Sequence, residues 1–251
     1  MVRRDITGRV LVVTIDRPEV RNAIDERTAR GIAEALDELD ARDDLAVGVL
    51  TGAGGTFCAG MDLKAFLAGE RPAVPGRGFA GIVERPPDKP LIAAIEGYAL
   101  AGGFEIALAC DLIVASESAR FGLPEVKRGL IAAGGGLFRL PQRIPYHQAM
   151  QLILEGDMLE APRAAELGLV NVVTEPGGAL AAAVELAARI AQNAPLAVRA
   201  AKQIVVASGS WPDSEAFERQ RPIYEPVRSS EDAREGATAF AEKRAPVWRG
   251  R

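Results

Sequence analysis

Histidine is nearly missing from this sequence of 251 residues: there is one, His147. Any Ser/His/Asp, Cys/His or histidine-based metal chemistry would have to pass through it. Its surroundings, PYHQAM, read as the first turn of an apolar helix, which points to a structural or surface role. Cysteine is almost as scarce, and Cys58 and Cys110 form neither a metal-ligand spacing nor a disulfide framework. Nucleotide loops are missing too. No GxxxxGK(S/T) occurs, and Phe57 stands where a dinucleotide fingerprint beginning at Gly52 needs its third glycine. Long hydrophobic runs are interrupted. The most membrane-like stretch, 91–115, contains Glu96, Glu105 and Asp111, so it reads as the core of a soluble protein. The opening MVRRDITGRVLVVTID has an apolar run too short for a signal peptide and alternates like a strand, so the cytoplasm is the expected compartment. Surplus positive charge is absent as well. The net charge of −4 and the acidic stretch DERTARGIAEALDELDARDD argue against nucleic acid and against an anionic membrane. Carboxylates and backbone dipoles are left as the chemical tools.

What is present is an alternation of short β-rich runs with helical stretches. RVLVVTI (9–15), AVGVLTG (46–52), PLIAAIEG (90–97) and DLIVAS (111–116) read as strands. DERTARGIAEALDELDA (25–41), capped by Asp25, reads as an amphipathic helix, and AGGFEIALAC (101–110) as a short buried one that Asp111 ends. This predicts an α/β fold with crossover connections. Beyond residue 145 helices are predicted at 145–155, 161–167, 178–192, 195–208, 213–228 and 230–243, with one strand at 169–173. Ser229 and Asp232 suggest a capping box for the last helix, and Pro246 a stop. Residues 69–89, rich in glycine and proline, predict a mobile loop on the surface or over a site.

Three segments join a strand end, glycines and apolar residues: LTGAGGTFCAGMDLKAF (50–66), GYALAGGFEIALACD (97–111) and RFGLPEVKRGLIAAGGGLFRLPQRIP (120–145). Singly, each reads as a tight turn. Together they can supply two backbone N–H donors for a developing oxyanion, and the second and third each contribute a glutamate.

In these residues the sequence resembles the crotonase (enoyl-CoA hydratase/isomerase) superfamily. FCAGMDL (57–63), GYALAGGFEIALACDL (97–112) and FGLPEVKRGL (121–130) look like its three signature blocks, in order and at family-like separations. The likeness runs from RPEVRNAID (17–25) to EGATAFAEKRAPVW (235–248). It implies a spiral of ββα units, with a catalytic core over 1–195 and a C-terminal helical region over 196–251. That region would belong to the same globular unit and would build a homotrimer or a dimer of trimers. It also implies that Met61 and Gly102 donate the two N–H groups of an oxyanion hole for an acyl-CoA thioester. Glu105 and Glu125 would be the catalytic pair. Arg21, Ala59, Lys64 and Phe240 would contact CoA, as would Lys243 reaching over from a neighbouring subunit. No separate cofactor or metal is implied, because coenzyme A arrives as part of the substrate. Two departures stand out. Glu19 occupies a position where hydratases of the family often carry lysine, leaving Arg21 to substitute, and Ala132 and Ala133 replace a Pro-Gly pair that helps place water.

Adding water to a 2-enoyl thioester needs a base for the water and an acid for the α-carbon, with the enolate charge stabilised between them. Two glutamates close together in an apolar pocket have separated pKa values, so one can stay protonated. The resemblance assigns water to Glu105 and the carbon to Glu125. A Δ3-Δ2 enoyl-CoA isomerase would need only the carboxylate at 125. A dehydratase of another 3-hydroxyacyl-CoA, such as carnitinyl-CoA, would use the same equipment, and a non-catalytic or RNA-binding member would need a basic stripe this chain lacks.

Overall fold

A computed structural model describes all residues 1–251. Its frame is a six-stranded sheet built from β1 (Val2–Thr7), β2 (Val10–Ile15), β3 (Val47–Gly52), β6 (Leu91–Ile95), β8 (Leu112–Ser116) and β11 (Val172–Thr174), in that order. β1 and β2 pair antiparallel, and every later neighbour is parallel. Both faces of the parallel part are covered, so β2 is buried along its length and reads as an unbroken apolar run. Val10, Val12, Val47, Val49, Ile92, Ala94 and Val114 face Ala179, Ala183 and Ala187 of α7 (Ala179–Ile190). The alternate residues, among them Leu11, Val13, Ile15, Leu50, Ala93 and Ile95, face the main core. That core takes in the apolar stripe Ala29, Ile32, Leu36 and Leu39 of α1 (Glu26–Ala41), whose N-cap Asp25 accepts from Thr28 N as predicted.

A second sheet turns the chain into a spiral. After β6 the chain enters β7 (Tyr98–Leu100) and then α3 (Gly102–Ala109), while after β8 it enters β9 (Arg120–Gly122), a 3-10 turn at Pro124–Arg128, and α4 (Gly136–Arg143). β7 and β9 pair in parallel, and β10 (Leu159–Glu160) closes that sheet antiparallel to β9. Each of these two ββα units therefore gives one strand to each sheet before its helix.

Several expectations need correction. The strand β1 escaped sequence reading because Arg3, Arg4 and Asp5 give it no apolar face; it is a charged, exposed edge of the kind that discourages further pairing. β7 and β9 are three-residue strands too short to leave a pattern, and the strand expected at 169–173 lies at Val172–Thr174. The 69–89 stretch is not an open loop. It follows α2 (Leu63–Leu67), forms a hairpin of β4 (Ala73–Val74) and β5 (Gly78–Phe79), and buries Arg77, Ala80, Ile82 and Val83.

The remaining helices fall close to their expected limits: α5 (Tyr146–Glu155), α6 (Ala161–Glu166), α8 (Pro195–Ser208), α9 (Ala216–Arg228) and α10 (Glu231–Glu242). His147 lies exposed in the first turn of α5 with its ring edge-on to Tyr146. Asp111 does structural work beyond the helix end, accepting from Leu91 N (2.8 Å) and from Lys202 Nζ (2.6 Å), which pins α8 to the sheet. None of the helices is long and apolar enough to cross a membrane. The stretch 91–115 is β6, β7, α3 and β8, largely buried.

The capping box expected at Ser229 is displaced by one residue. Ser230 is the N-cap of α10 and accepts from Ala233 N (3.0 Å), while the Ser229 hydroxyl donates back to Glu225 O. Asp232 is instead buried and accepts from Arg249 N (2.7 Å) and Gly250 N (2.9 Å), latching the C-terminal tail. Nor does Pro246 stop the helix, which ends earlier at Lys243 in the left-handed region. Ser230→Ala should therefore lower stability by about 1 kcal/mol. Ser229→Ala should lower it by less than half as much in the same denaturant titration, and equal losses would contradict this cap assignment.

Candidate active site

The FCAG and AGG segments are locked together by backbone contacts. Cys58 N donates to Tyr98 O (2.9 Å) and Leu100 N donates to Cys58 O (3.0 Å), so 57–61 runs alongside β7. The same Cys58 carbonyl stands against Gly103, where any side chain would collide with it. Between these contacts, α3 begins abruptly at Ala101. This alanine has φ +52° and ψ −127°, a region that non-glycine residues rarely occupy. Ala101 N donates to Gly122 O (2.9 Å), and its carbonyl accepts from Phe104 N (2.9 Å) and Glu105 N (3.1 Å), so the neighbouring strands hold the strained turn.

Two consequences follow for the expected donors. Gly102 is the first residue of α3, and its N–H has no acceptor within the helix. Met61 lies in a bridge with Ile24 whose bonds run through Gly60 O and Asp62 N, on either side of it, so its own N–H is not used there. The loops touch: a Cβ on Gly60 would stand 3.2 Å from Gly102 N. Met61 and Gly102 are thereby brought to one place. Phe79 packs directly over Gly102, so the 69–89 stretch supplies a wall of this site.

Glu105 lies one turn into α3, a helix whose eight residues are all buried; it is 4% exposed. Its Oε1 accepts from Gly136 N (2.9 Å), at the start of α4. Burial pushes the Glu105 carboxyl above the ordinary range, opposed by the N–H groups of Gly136 and Gly134 and by the Arg139 cation. Gly134 presses against it so closely that a Cβ there would come 2.7 Å from Oε2. Glu125 sits half-buried in the 3-10 turn after β9. Burial raises it first, its own backbone N–H opposes that, the Glu105 carboxyl raises it further, and Arg128 draws it down. The fold thus brings the two glutamates, 20 positions apart in sequence, within electrostatic reach of each other. Oε2 of Glu125 is buried without a hydrogen-bond partner. A buried carboxylate oxygen left in this state is a place where a ligand group or water belongs.

Around this centre, Ala59 N donates to Arg21 O (3.0 Å), which places those two residues side by side, and Lys64 is exposed in the short α2. Phe240 is exposed on α10, which packs against α9, and Lys243 is exposed at that helix's C-cap, where its N–H donates to Phe240 O (3.2 Å). Sequence reading also missed three residues that hold the site. Arg17 binds Asp62 (3.0 Å) and Asp25 (3.2 Å), and Asp62 caps α2, which steadies the loop carrying Met61. Arg139, inside α4, is the third; the Gly triplet before it was the only signal.

The arrangement defines an acid–base site beside two free backbone donors in a spiral α/β fold, and comparison with known proteins gives that class a name. The family model for enoyl-CoA hydratase/isomerase matches residues 5–251. The carnitinyl-CoA dehydratase of Salmonella typhi is 45% identical over 255 residues, covering 97% of this chain and 96% of that relative. The crystal structure of an enoyl-CoA hydratase from Mycobacterium tuberculosis H37Rv superposes with a TM-score of 0.98 at 58% identity, covering 100% of this chain and 99% of that one. A carnitinyl-CoA hydratase from Mycobacterium avium matches with a TM-score of 0.80 at 46% identity over 100% and 98% of the two chains. This chain belongs to the enoyl-CoA hydratase/isomerase family and has the crotonase fold.

The raised carboxyls make a prediction about stability. A carboxyl whose pKa is raised by folding contributes stability below its unfolded pKa and loses it as pH climbs through the folded value. Glu125 lacks compensating partners on Oε2, so Glu125→Gln should unfold at a higher temperature than the parent protein at neutral pH. The difference should shrink towards pH 4, as followed by calorimetry. A variant less stable than the parent at neutral pH, with the deficit vanishing at low pH, would show that the fold holds Glu125 ionised.

Proposed function

We propose that the protein adds water reversibly, in the syn sense, across a 2-enoyl-CoA thioester to give a 3-hydroxyacyl-CoA. The observation that carries this reading is the pair of glutamates, Glu105 buried and Glu125 half-buried with an unpartnered oxygen, beside the unused N–H groups of Met61 and Gly102. Glu105 takes a proton from water as its oxygen bonds to C3. The electron pair of the C2–C3 double bond moves towards the thioester, whose oxygen accepts hydrogen bonds from Met61 N–H and Gly102 N–H. Glu125 then delivers a proton to C2. Each backbone donor of this kind is worth about 3–4 kcal/mol in the transition state. Dehydration runs the same steps backwards, with the proton count restored across the two carboxyls.

The similarity to a carnitinyl-CoA dehydratase supports a second reading, in which the physiological direction is loss of water from carnitinyl-CoA. Isomerisation without hydration is less well supported, because Glu105 would then be an idle buried carboxyl. The direct test is absorbance near 260–280 nm. Crotonyl-CoA should lose its conjugated absorbance on hydration, while carnitinyl-CoA should gain absorbance if it is dehydrated. Glu105→Gln and Glu125→Gln should each lower kcat on crotonyl-CoA by about 10²–10⁴-fold with little change in KM. The two losses should be non-additive, and full activity in Glu105→Gln would replace hydration by isomerisation as the best reading.

The acidic chain must hold polyanionic CoA through local cations, which we assign to Arg21, Lys64 and, from a neighbouring subunit, Lys243, with Ala59 and Phe240 as uncharged CoA contacts. A homotrimer or dimer of trimers in the cytoplasm fits that assignment. Val205, Val206 and Phe217 leave large apolar side chains exposed on and near α8 and α9, consistent with a covered face there. Lys243→Glu should raise KM for crotonyl-CoA several-fold, in keeping with the modest worth of an exposed ion pair. A short pantetheine thioester should be unaffected. Equal impairment of both substrates would place Lys243 in assembly or folding.

A further inference from the structure

Arg139 is an awkward cation for α4. It stands in the middle of the helix, and its side chain is half-buried. Burial and the neighbouring Arg143 both work against its charged form, while Glu105 first and Cys110 second favour it. A residue kept in so unfavourable a place for stability alone would be unexpected. Its contacts show what it holds. Nη1 donates to Gly134 O (3.2 Å) and Nη2 donates to Val83 O (2.5 Å). Gly134 and Gly136 belong to the segment whose N–H groups face Glu105, and Val83 lies four positions after Phe79, the ring over Gly102. One guanidinium therefore ties the wall beside the oxyanion donors to the cradle of Glu105, and its charge acts on Glu105 directly. Glu125 has only the exposed Arg128 in a comparable role, and water screens an exposed charge.

We propose that Arg139 is the positioning residue that breaks the symmetry of the two carboxyls: it keeps Glu105 aligned and ionised as the base, so that Glu125 carries the proton. This rests on the hydratase reading above. The planar fork matters as well as the charge, because a lysine ammonium offers no matching pair of donors to two separate carbonyls.

The experiment compares Arg139→Gln and Arg139→Lys with the parent enzyme on crotonyl-CoA, measuring kcat, KM and the pH dependence of kcat. Thermal unfolding and light scattering of each variant check that it is folded and assembled. Removing the cation takes away a group that favours ionised Glu105, so the acid limb of Arg139→Gln should move to higher pH. Its kcat at the optimum should fall about 10–100-fold through misalignment, with KM changed less than threefold. Arg139→Lys should keep the limb near its original position and still lose kcat. A folded Arg139→Gln with an unmoved acid limb overturns the proposal, whatever its kcat, because a purely structural role would leave the limb in place. If Arg139→Gln does not fold, Arg139→Lys decides: parental kcat overturns the proposal, and a reduced kcat with unchanged KM and limb supports it. The hydratase reading fails separately, through a fully active Glu105→Gln.

Discussion

The contact between the Cys58 carbonyl and the start of α3 is the constraint from which the site derives. One backbone oxygen accepts from Leu100 N and lies against Gly103, so the strand β7 and the helix after it cannot move relative to the 57–61 loop. Only glycine permits that approach, and only a sharp reversal at Ala101 allows a strand and a helix to meet there. The strain at Ala101 is contained because Gly122 O, Phe104 N and Glu105 N all fix that peptide. From this one junction follow the unused N–H of Gly102, the neighbouring position of Met61, and the depth at which Glu105 enters the core.

The second sheet is the device that converts this junction into an acid–base pair. β7 delivers α3 and Glu105, β9 delivers the turn containing Glu125, and the two strands are parallel neighbours from Tyr98–Arg120 to Leu100–Gly122. A register fixed along three residues determines how the two carboxyls face each other. Burial disfavours both charges, and the Glu105 carboxyl disfavours that of Glu125 further. The protein offsets this unevenly. Glu105 receives the N–H groups of the α4 start and the field of Arg139, whereas one oxygen of Glu125 has no partner. Unequal compensation of two like groups is what the proposed division into base and acid requires.

The C-terminal region obeys different physics. Its helices carry exposed apolar side chains and few buried ones, and its tail is held mainly by polar contacts: Asp232 receives Arg249 N and Gly250 N, and Trp248 Nε1 donates to Gln192 O (2.7 Å). Arg244 beside Glu235 holds that carboxyl down to about 2. Such a region is shaped by hydrogen bonds and leaves its apolar surface outward, in contrast to the closely covered sheet of the core.

Local sequence determined what depends on near neighbours and on side-chain pattern. The Asp25 cap, the apolar stripe of α1, the buried run of β2 and the helices from Tyr146 onward follow from periodicity and capping chemistry, which act within a few residues. The three glycine blocks, with Glu105 and Glu125 inside them, were legible because close backbone approach demands glycine and because their order resembles a family. Tertiary structure alone decided what depends on register and on distant partners. β7 and β9 are too short to show a pattern, and the 69–89 stretch looks like loop until Arg77, Ile82 and Val83 find a core to enter. Ser230 displaced Ser229 as cap because the chain's own tail claims Asp232. Arg139 and Arg17 have no local pattern that marks them, and became supports of the site only when folding put carbonyls and carboxylates around them. The reason is physical: periodicity is written in the chain, but the field at a buried carboxyl is the sum of groups that meet only in the fold.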